Sequence, residues 1–275
     1  IDLWGGFADR ERTRPWRRDT LANVYSTTKG ITAIAAHQLV ERGELELDAP
    51  VARYWPEFAQ KGKASIPVRM LLNHRAGLAA VTRPLAPEDL FDWSTMTRAL
   101  EEQEPWWEPG ADHGYHALTY GWLVGELIRR VSGMSVGRYV REHIAAPLGA
   151  EFWIGLPEEL DARTAELHQG PISSDGPNLM ERIAAEPEGV LAKAFGNPPL
   201  LLMSPNTRAW RAAELPAANL HTTAPALARI YAALASGGEL DGVRILRRET
   251  IERAREEESY GPDRVLALVS RIGLG

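Results

Sequence analysis

The 275-residue chain contains no cysteine, which excludes disulfides and thiolate metal sites outright. It has no apolar run approaching the length of a membrane span and no recognisable signal peptide. Positive charge is not in excess: 31 Lys and Arg against 37 Asp and Glu leave a net −6, so neither nucleic acid nor an anionic membrane is an expected partner. No H-E-x-x-H occurs, and the H-x-x-H pair His113 and His116, with Asp112 beside it, has no further ligand at a familiar metal spacing; no metal is expected. Repeats and low-complexity tracts are lacking too. What remains is the composition of a soluble globular protein, expected in the cytoplasm and long enough to bury one large core or two lobes.

The most informative feature present is Ser26-Thr27-Thr28-Lys29, at the head of an apolar-periodic segment. A spacing of three residues puts the hydroxyl and the amine on one face of a helix, with the hydroxyl near the positive end of the macrodipole. A lysine partly desolvated there loses its proton easily and can accept the one on Ser26 Oγ. Alone, the tetrapeptide reads rather as a helix N-cap followed by a solvated lysine. After it, Ile31, Ile34, Ala35 and Leu39 continue a helical stripe that Gly43 stops, which predicts a helix over 26–42.

Two longer phrases follow: Leu47-Asp48-Ala49-Pro50-Val51-Ala52-Arg53-Tyr54-Trp55-Pro56-Glu57-Phe58, and Ile66-Pro67-Val68-Arg69-Met70-Leu71-Leu72-Asn73-His74-Arg75-Ala76-Gly77-Leu78. With the Ser-x-x-Lys motif, and in this order, they resemble the family of serine β-lactamases, penicillin-binding proteins and related esterases, in its class C-like branch. The resemblance implies an α/β (α+β) fold of the β-lactamase/transpeptidase type. That fold has an antiparallel sheet flanked by helices and a helical subdomain roughly over 48–210, in one catalytic domain over 1–275 with mostly helical residues. It also implies a tyrosine in a Tyr-x-Asn triplet. Tyr115-His116-Ala117 is the best match, with Tyr120 the other tyrosine eligible on composition. Ala117 stands where penicillin-recognising members carry an amide, and its side chain can neither donate nor accept. An ester substrate makes fewer demands on that group, so the departure favours an esterase.

Gly133-Met134-Ser135-Val136-Gly137 matches the G-x-S-x-G nucleophile elbow, but that elbow needs a strand before it. Here a helical run over about 118–131 precedes it and another, about 136–146, follows, so Ser135 reads as an N-cap and Gly133 as the end of the preceding helix. Proline-rich residues 154–210 carry little pattern and are expected to wrap over a substrate cleft. A helix over Ala224–Ala235 is expected to bury Leu227, Ile230, Tyr231 and Leu234, while Glu101, Glu102, Glu104 and the run Glu252–Glu258 read as solvated surface.

The family's third triplet, His-x-Gly, Trp-x-Gly or Lys-Thr-Gly on a strand bordering the site, has no counterpart. His168-Gln169-Gly170 has suitable letters but lies too early, in a polar stretch without strand alternation, and reads as a loop. Ile1–Gly6 and the run from Val265 read as pieces of sheet strands, so the chain corresponds to the middle of a typical member and is expected to be incomplete at both ends. A chain lacking both flanks is expected to expose an apolar face, to have a half-built oxyanion hole, and to be poorly soluble and nearly inactive.

The resemblance assigns Ser26 as nucleophile, Lys29 as its base and Tyr115 as proton relay, with Trp107, His116 and Asn219 expected at the substrate and no cofactor. The expected function is a carboxylesterase working through an acyl-enzyme on a small-molecule ester. The alternatives are a β-lactamase or D-amino peptide hydrolase on the same fold, and a catalytically silent relative that binds a ligand. Trp106, Trp107, Trp153 and Trp210 are equally eligible as pocket or core residues.

Overall fold

A computed structural model describes residues 2–168, 170, 179–200 and 203–275. Its centre is helix α1 (Thr27–Glu41). Ile31, Ile34, Ala35 and Leu39 are all buried, as are Ala33 and Ala36 on the other sides, so the helix is enclosed nearly all round. Short helix α2 (Arg69–Leu72) buries Leu71 and Leu72, and α3 (Trp93–Glu102) is capped by the Asp92 side chain. Helix α4 (Thr119–Ser132) lies against α1, and its core side chains Tyr120, Leu123, Leu127 and Ile128 join one hydrophobic cluster with Ile31 and Leu39.

The G-x-S-x-G stretch joins two helices. Gly133, at φ +69°, ends α4 in the left-handed region that glycine enters without penalty. Ser135 caps α5 (Val136–Val140) by accepting the N–H of Arg138, and its hydroxyl donates to Glu214 Oε1 at 2.6 Å. Glu214 Oε2 accepts the N–H of Gly137 at 3.0 Å, where any Cβ would collide with the carbonyl of Ile154. Ser135 is thus an N-cap, and the final glycine is there for close packing.

Helices α6 (Leu179–Ala185), α7 (Val190–Gly196) and α8 (Arg208–Ala212) are short, as the prolines between them require. Helix α9 (Ala224–Ala235) begins at the Thr223 cap with Pro225 in its first turn, and α10 (Arg248–Ala254) follows. The face α9 buries is Ala226, Ile230 and Ala233; Tyr231, expected inside, is exposed, because small residues let the helix lie close to its neighbours.

Strands are few. β1 (Ala22–Asn23), β2 (Phe152–Trp153) and β3 (His221–Thr222) form an antiparallel sheet in the order β1-β3-β2, with Asn23 and Trp153 both opposite His221. β4 (Glu239–Leu240) pairs with β5 (Val243–Arg244), and β6 (Ser259–Pro262) with β7 (Val269–Ile272). Two strand expectations need correction. Residues 2–5 are irregular, and the last strand starts at Val269, because Val265 is buried in the loop before it and Ala267 turns at φ +50°. The acidic run also differs from expectation. Helix α10 ends at Ala254, and Glu258 turns inward to accept from Arg69 at 3.0 Å and Asn73 at 3.1 Å. Glu101, read as solvated, accepts the indole N–H of Trp55 at 2.7 Å.

Candidate active site

Ser26 lies at the N-terminus of α1, solvent-exposed, one turn before Lys29, which is buried. Lys29 Nζ is 3.2 Å from Ser26 Oγ, 2.7 Å from the carbonyl of Ala117 and 3.0 Å from that of Ala217. Burial lowers its pKa to about 7. A neutral amine has two N–H bonds, and two carbonyls take them. Its lone pair is left for the hydroxyl proton of Ser26, which is the alignment a general base needs.

Tyr115 donates its O–H to Ser26 Oγ at 2.6 Å. Burial raises its pKa, the bond to Ser26 lowers it, and the charge of Asp263 raises it again, so the phenol keeps its proton near neutrality. Lys29 Nζ stands 4.7 Å from the centre of the Tyr115 ring. Tyr120, the other eligible tyrosine, is fully buried, with its pKa raised by burial. The Ser26 main-chain N–H has no acceptor among the described residues and is available to an oxyanion.

Thr28, inside the motif, and Thr32, one turn further along α1, hold the far wall. Thr28 Oγ1 accepts the N–H of Leu220 at 3.0 Å, and Thr32 Oγ1 donates to the carbonyl of Pro216 at 2.7 Å. They pin the loop that presents Ala217 to Lys29. Gly121 of α4 allows the close approach, since a Cβ there would lie 2.8 Å from the Ala217 nitrogen.

A cavity of about 550 Å³ opens over Ser26 and Tyr115. Its walls include Leu118, Phe195, Leu200, Met203 and Trp210, with Tyr25 at the rim, and no lysine or arginine among the described residues lines it. Tyr25, at φ +43°, sets its ring edge-on to Trp210, 6.4 Å between centroids.

The family model described as Beta-lactamase matches residues 1–275. The chain belongs to the beta-lactamase family. It is 37% identical to "Esterase/beta-lactamase LipL" of Mycobacterium tuberculosis over 290 residues, covering 100% of this chain and 65% of that protein. It is 35% identical to "Esterase EstB" of Burkholderia gladioli over 161 residues, 52% of this chain and 41% of that one. The chain therefore spans less than two thirds of the length of either relative. Among solved structures, a family VIII carboxylesterase superposes with a TM-score of 0.89 at 40% identity, covering 99% of this chain and 71% of that one. A penicillin-binding protein homologue from Caulobacter crescentus gives 0.88 at 39%, covering 98% and 70%. The fold is that of the β-lactamase/transpeptidase group.

In this beta-lactamase-family chain, Ser26, Lys29 and Tyr115 meet, whereas Trp107, His116 and Asn219 do not reach the cavity. His116 is fully buried; its Nε2 accepts the N–H of Leu78 at 3.1 Å and its Nδ1–H donates to the carbonyl of Gly114 at 2.7 Å. Burial lowers its pKa to about 4, and that of the neighbouring His74 well below the usual histidine range, so both stay neutral beside Lys29. Trp107 packs edge-on against His116. Asn219 ties its own loop together, donating to the carbonyls of Trp210 and Ala213, each at 2.7 Å, and accepting the N–H of Leu215 at 2.9 Å. These three are supports behind the wall. Polar and aromatic letters beside a motif do not reveal which way a side chain points.

Conversely, His168 lines the cavity, its Nε2 3.2 Å from Glu166 Oε2. It sits in a loop, as expected, though Gln169 of the same triplet lies outside the described residues. The 154–210 segment does supply cavity wall, through Leu167, Phe195, Leu200, Met203, Pro205 and Trp210. Among the described residues no group of three or more His, Asp or Glu could hold a metal, and no helix is long and apolar enough to cross a membrane.

Proposed function

We propose that the chain is a serine ester hydrolase acting through an acyl-enzyme. Ser26 Oγ attacks the ester carbonyl while Lys29 takes its proton; Tyr115 gives its proton to the leaving alcohol and is restored from the Lys29 ammonium. The Ser26 N–H faces the developing oxyanion, and water releases the acyl group by the same route in reverse. The observation that carries this reading is the convergence on one hydroxyl of a buried amine at 3.2 Å and a protonated phenol at 2.6 Å. The names of the relatives, esterase and carboxylesterase, point the same way.

The substrate is a small uncharged ester with apolar arms. A cavity lined by Leu118, Phe195, Leu200, Met203 and Trp210 rewards apolar burial. A β-lactam or peptide carboxylate entering it would find, among the described residues, no lysine or arginine on its walls, a His168 already facing Glu166, and no amide on the Ala117 side chain.

The test compares wild type and Ser26→Ala with a short-chain aryl ester, a chromogenic cephalosporin and a fluorophosphonate probe. Ester turnover and probe attachment that both vanish with Ser26→Ala support the reading. Faster cephalosporin turnover than ester turnover reverses the substrate assignment, and an unlabelled wild type identifies a silent, ligand-binding relative.

A further inference from the structure

Tyr115 carries the proton relay on a backbone outside any helix or strand, so something other than secondary structure must fix its direction. The support comes from the far end of the chain. Asp263, in the turn between β6 and β7, is 2% exposed, and its Oδ1 accepts three main-chain N–H groups: Tyr115 at 3.1 Å, Val265 at 2.8 Å and Leu266 at 2.8 Å. Its Oδ2 accepts the hydroxyl of Ser270 at 3.3 Å, and Ser270 Oγ lies 2.9 Å from His113 Nε2. The same turn grips the other side of the segment, for the N–H of Arg264 donates to the carbonyl of His113 at 3.1 Å. Between the two bonds sits Gly114, where a Cβ would lie 2.8 Å from the Trp107 ring and 3.1 Å from Val265. The segment is held by a hydrogen bond on either side of Gly114 and by close packing at Gly114 itself.

Two N–H donors from its own turn would be enough to form the turn around Asp263. The third, from Tyr115, is a nonlocal bond across 148 residues, and a buried carboxylate is the acceptor that takes N–H donors most strongly. We propose that Asp263 is a positioning residue that, resting on the reading of Ser26, Lys29 and Tyr115 given above, holds Tyr115 where its phenol delivers a proton to the leaving alcohol.

The step it serves is defined by its atoms. As the Ser26 Oγ–carbon bond forms and the carbon–oxygen bond to the leaving group breaks, the departing alkoxide takes the Tyr115 proton, and Lys29, carrying the serine proton, returns one to the phenolate. An alkoxide needs that proton to leave, whereas a nitrophenolate departs without it. Misplacing Tyr115 therefore harms alkyl esters selectively, while a general loss of structure harms both.

The experiment measures Asp263→Asn in the full chain with an alkyl and a p-nitrophenyl ester of the same acid, alongside the rate of fluorophosphonate attachment at Ser26, whose fluoride also leaves unprotonated. The expected result is a fall of about a hundredfold in kcat/KM, which reports acylation alone, for the alkyl ester, a change of less than about threefold in kcat/KM for the aryl ester, and an unchanged labelling rate. Equal losses on both esters, or no loss on either, with labelling intact, overturn the inference and leave the proposed function standing. Should Asp263→Asn fail to fold, Ser270→Ala decides by the same split, smaller in size, because it removes the Oδ2 and His113 partner and leaves the Oδ1 bond to Tyr115 in place. Wild-type protein that the probe does not label at Ser26 removes the reading beneath the inference, and the inference with it.

Discussion

Lys29 donates to the main-chain carbonyl of Ala117 at 2.7 Å, so residue 117 serves the site through its backbone although its side chain lacks the amide expected there. Together with the carbonyl of Ala217 at 3.0 Å, it turns the lone pair of a neutral amine toward Ser26. Burial brings the Lys29 pKa down to about 7 from 10.5, with Tyr115, Tyr120, His74 and His116 as the titratable groups around it. Only the deprotonated form can act as base. The kcat/KM of the ester reaction should therefore rise with pH through about 7 and level off above it. Lys29→Arg, which cannot give up its proton, should lose about a thousandfold or more at every pH. A flat profile between pH 5 and 9 would show that another group is the base.

The same depression ties stability to pH. The unfolded chain keeps the lysine proton up to about 10.5, whereas the folded chain releases it near 7, so between these values the unfolded state binds more protons. This group's contribution to stability should grow as pH rises through that window, and below 7 the whole cost of the buried charge should be present. Replacing Lys29 by Met should flatten that part of the urea-midpoint profile; an unchanged slope would place the titration elsewhere.

Two serines carry nucleophile-like motifs, and their surroundings separate them. Ser135 is committed on both sides, accepting from Arg138 and donating at 2.6 Å to Glu214, a carboxylate that also holds the N–H of Gly137. Ser135→Ala should leave fluorophosphonate labelling intact and lower stability by about 1 kcal/mol, the size of a lost N-cap. Ser26→Ala should abolish labelling with little change in melting temperature, since Ser26 makes no capping bond. Mass spectrometry of the labelled chain distinguishes the two, and probe found on Ser135 would sink the assignment.

The parts of this arrangement that were legible in the sequence are those a local pattern encodes. Ser26 and Lys29 share a helix face because they are three residues apart, and Ser135 caps a helix because Gly133 ends the one before it. Tyr115 needed the family's order of phrases, since nothing local separates it from Tyr120. The illegible parts depend on chain return. Asp263 meets Tyr115 across 148 residues, and Ala217 reaches Lys29 across 188 with a carbonyl that every residue type possesses. Thr28 and Thr32, as ordinary helix residues, give no sign that a loop will hang from their hydroxyls. Side-chain direction was the other loss: His116 and Asn219 are polar and adjacent to site residues, yet both face inward.

Asn219 offers a clean test of that inward role. Its amide satisfies the buried carbonyl of Trp210, the buried N–H of Leu215 and the part-buried carbonyl of Ala213, and Asn219→Ala leaves them without that partner. A loss of about 3 kcal/mol in unfolding free energy is expected, with KM for the ester in the remaining folded protein changed by less than about twofold. A large rise in KM with unchanged stability would instead return Asn219 to the substrate.

The cavity wall sets which acyl groups fit. Met203 and Leu200 are partly buried, pack against the main core from the 154–210 segment, and face the same space as Ser26. Met203→Trp adds bulk to a cavity of about 550 Å³ and should cut kcat/KM for an octanoate ester about tenfold relative to acetate, because the longer chain loses apolar contact while the reacting carbonyl is untouched. Leu200→Ala widens the same wall, so the octanoate preference should hold or increase. The two variants then move acyl selectivity in opposite directions around a constant acetate rate. Parallel changes on both esters would mean that the wall shapes the nucleophile rather than the acyl site, and the apolar arm of the substrate would have to lie elsewhere.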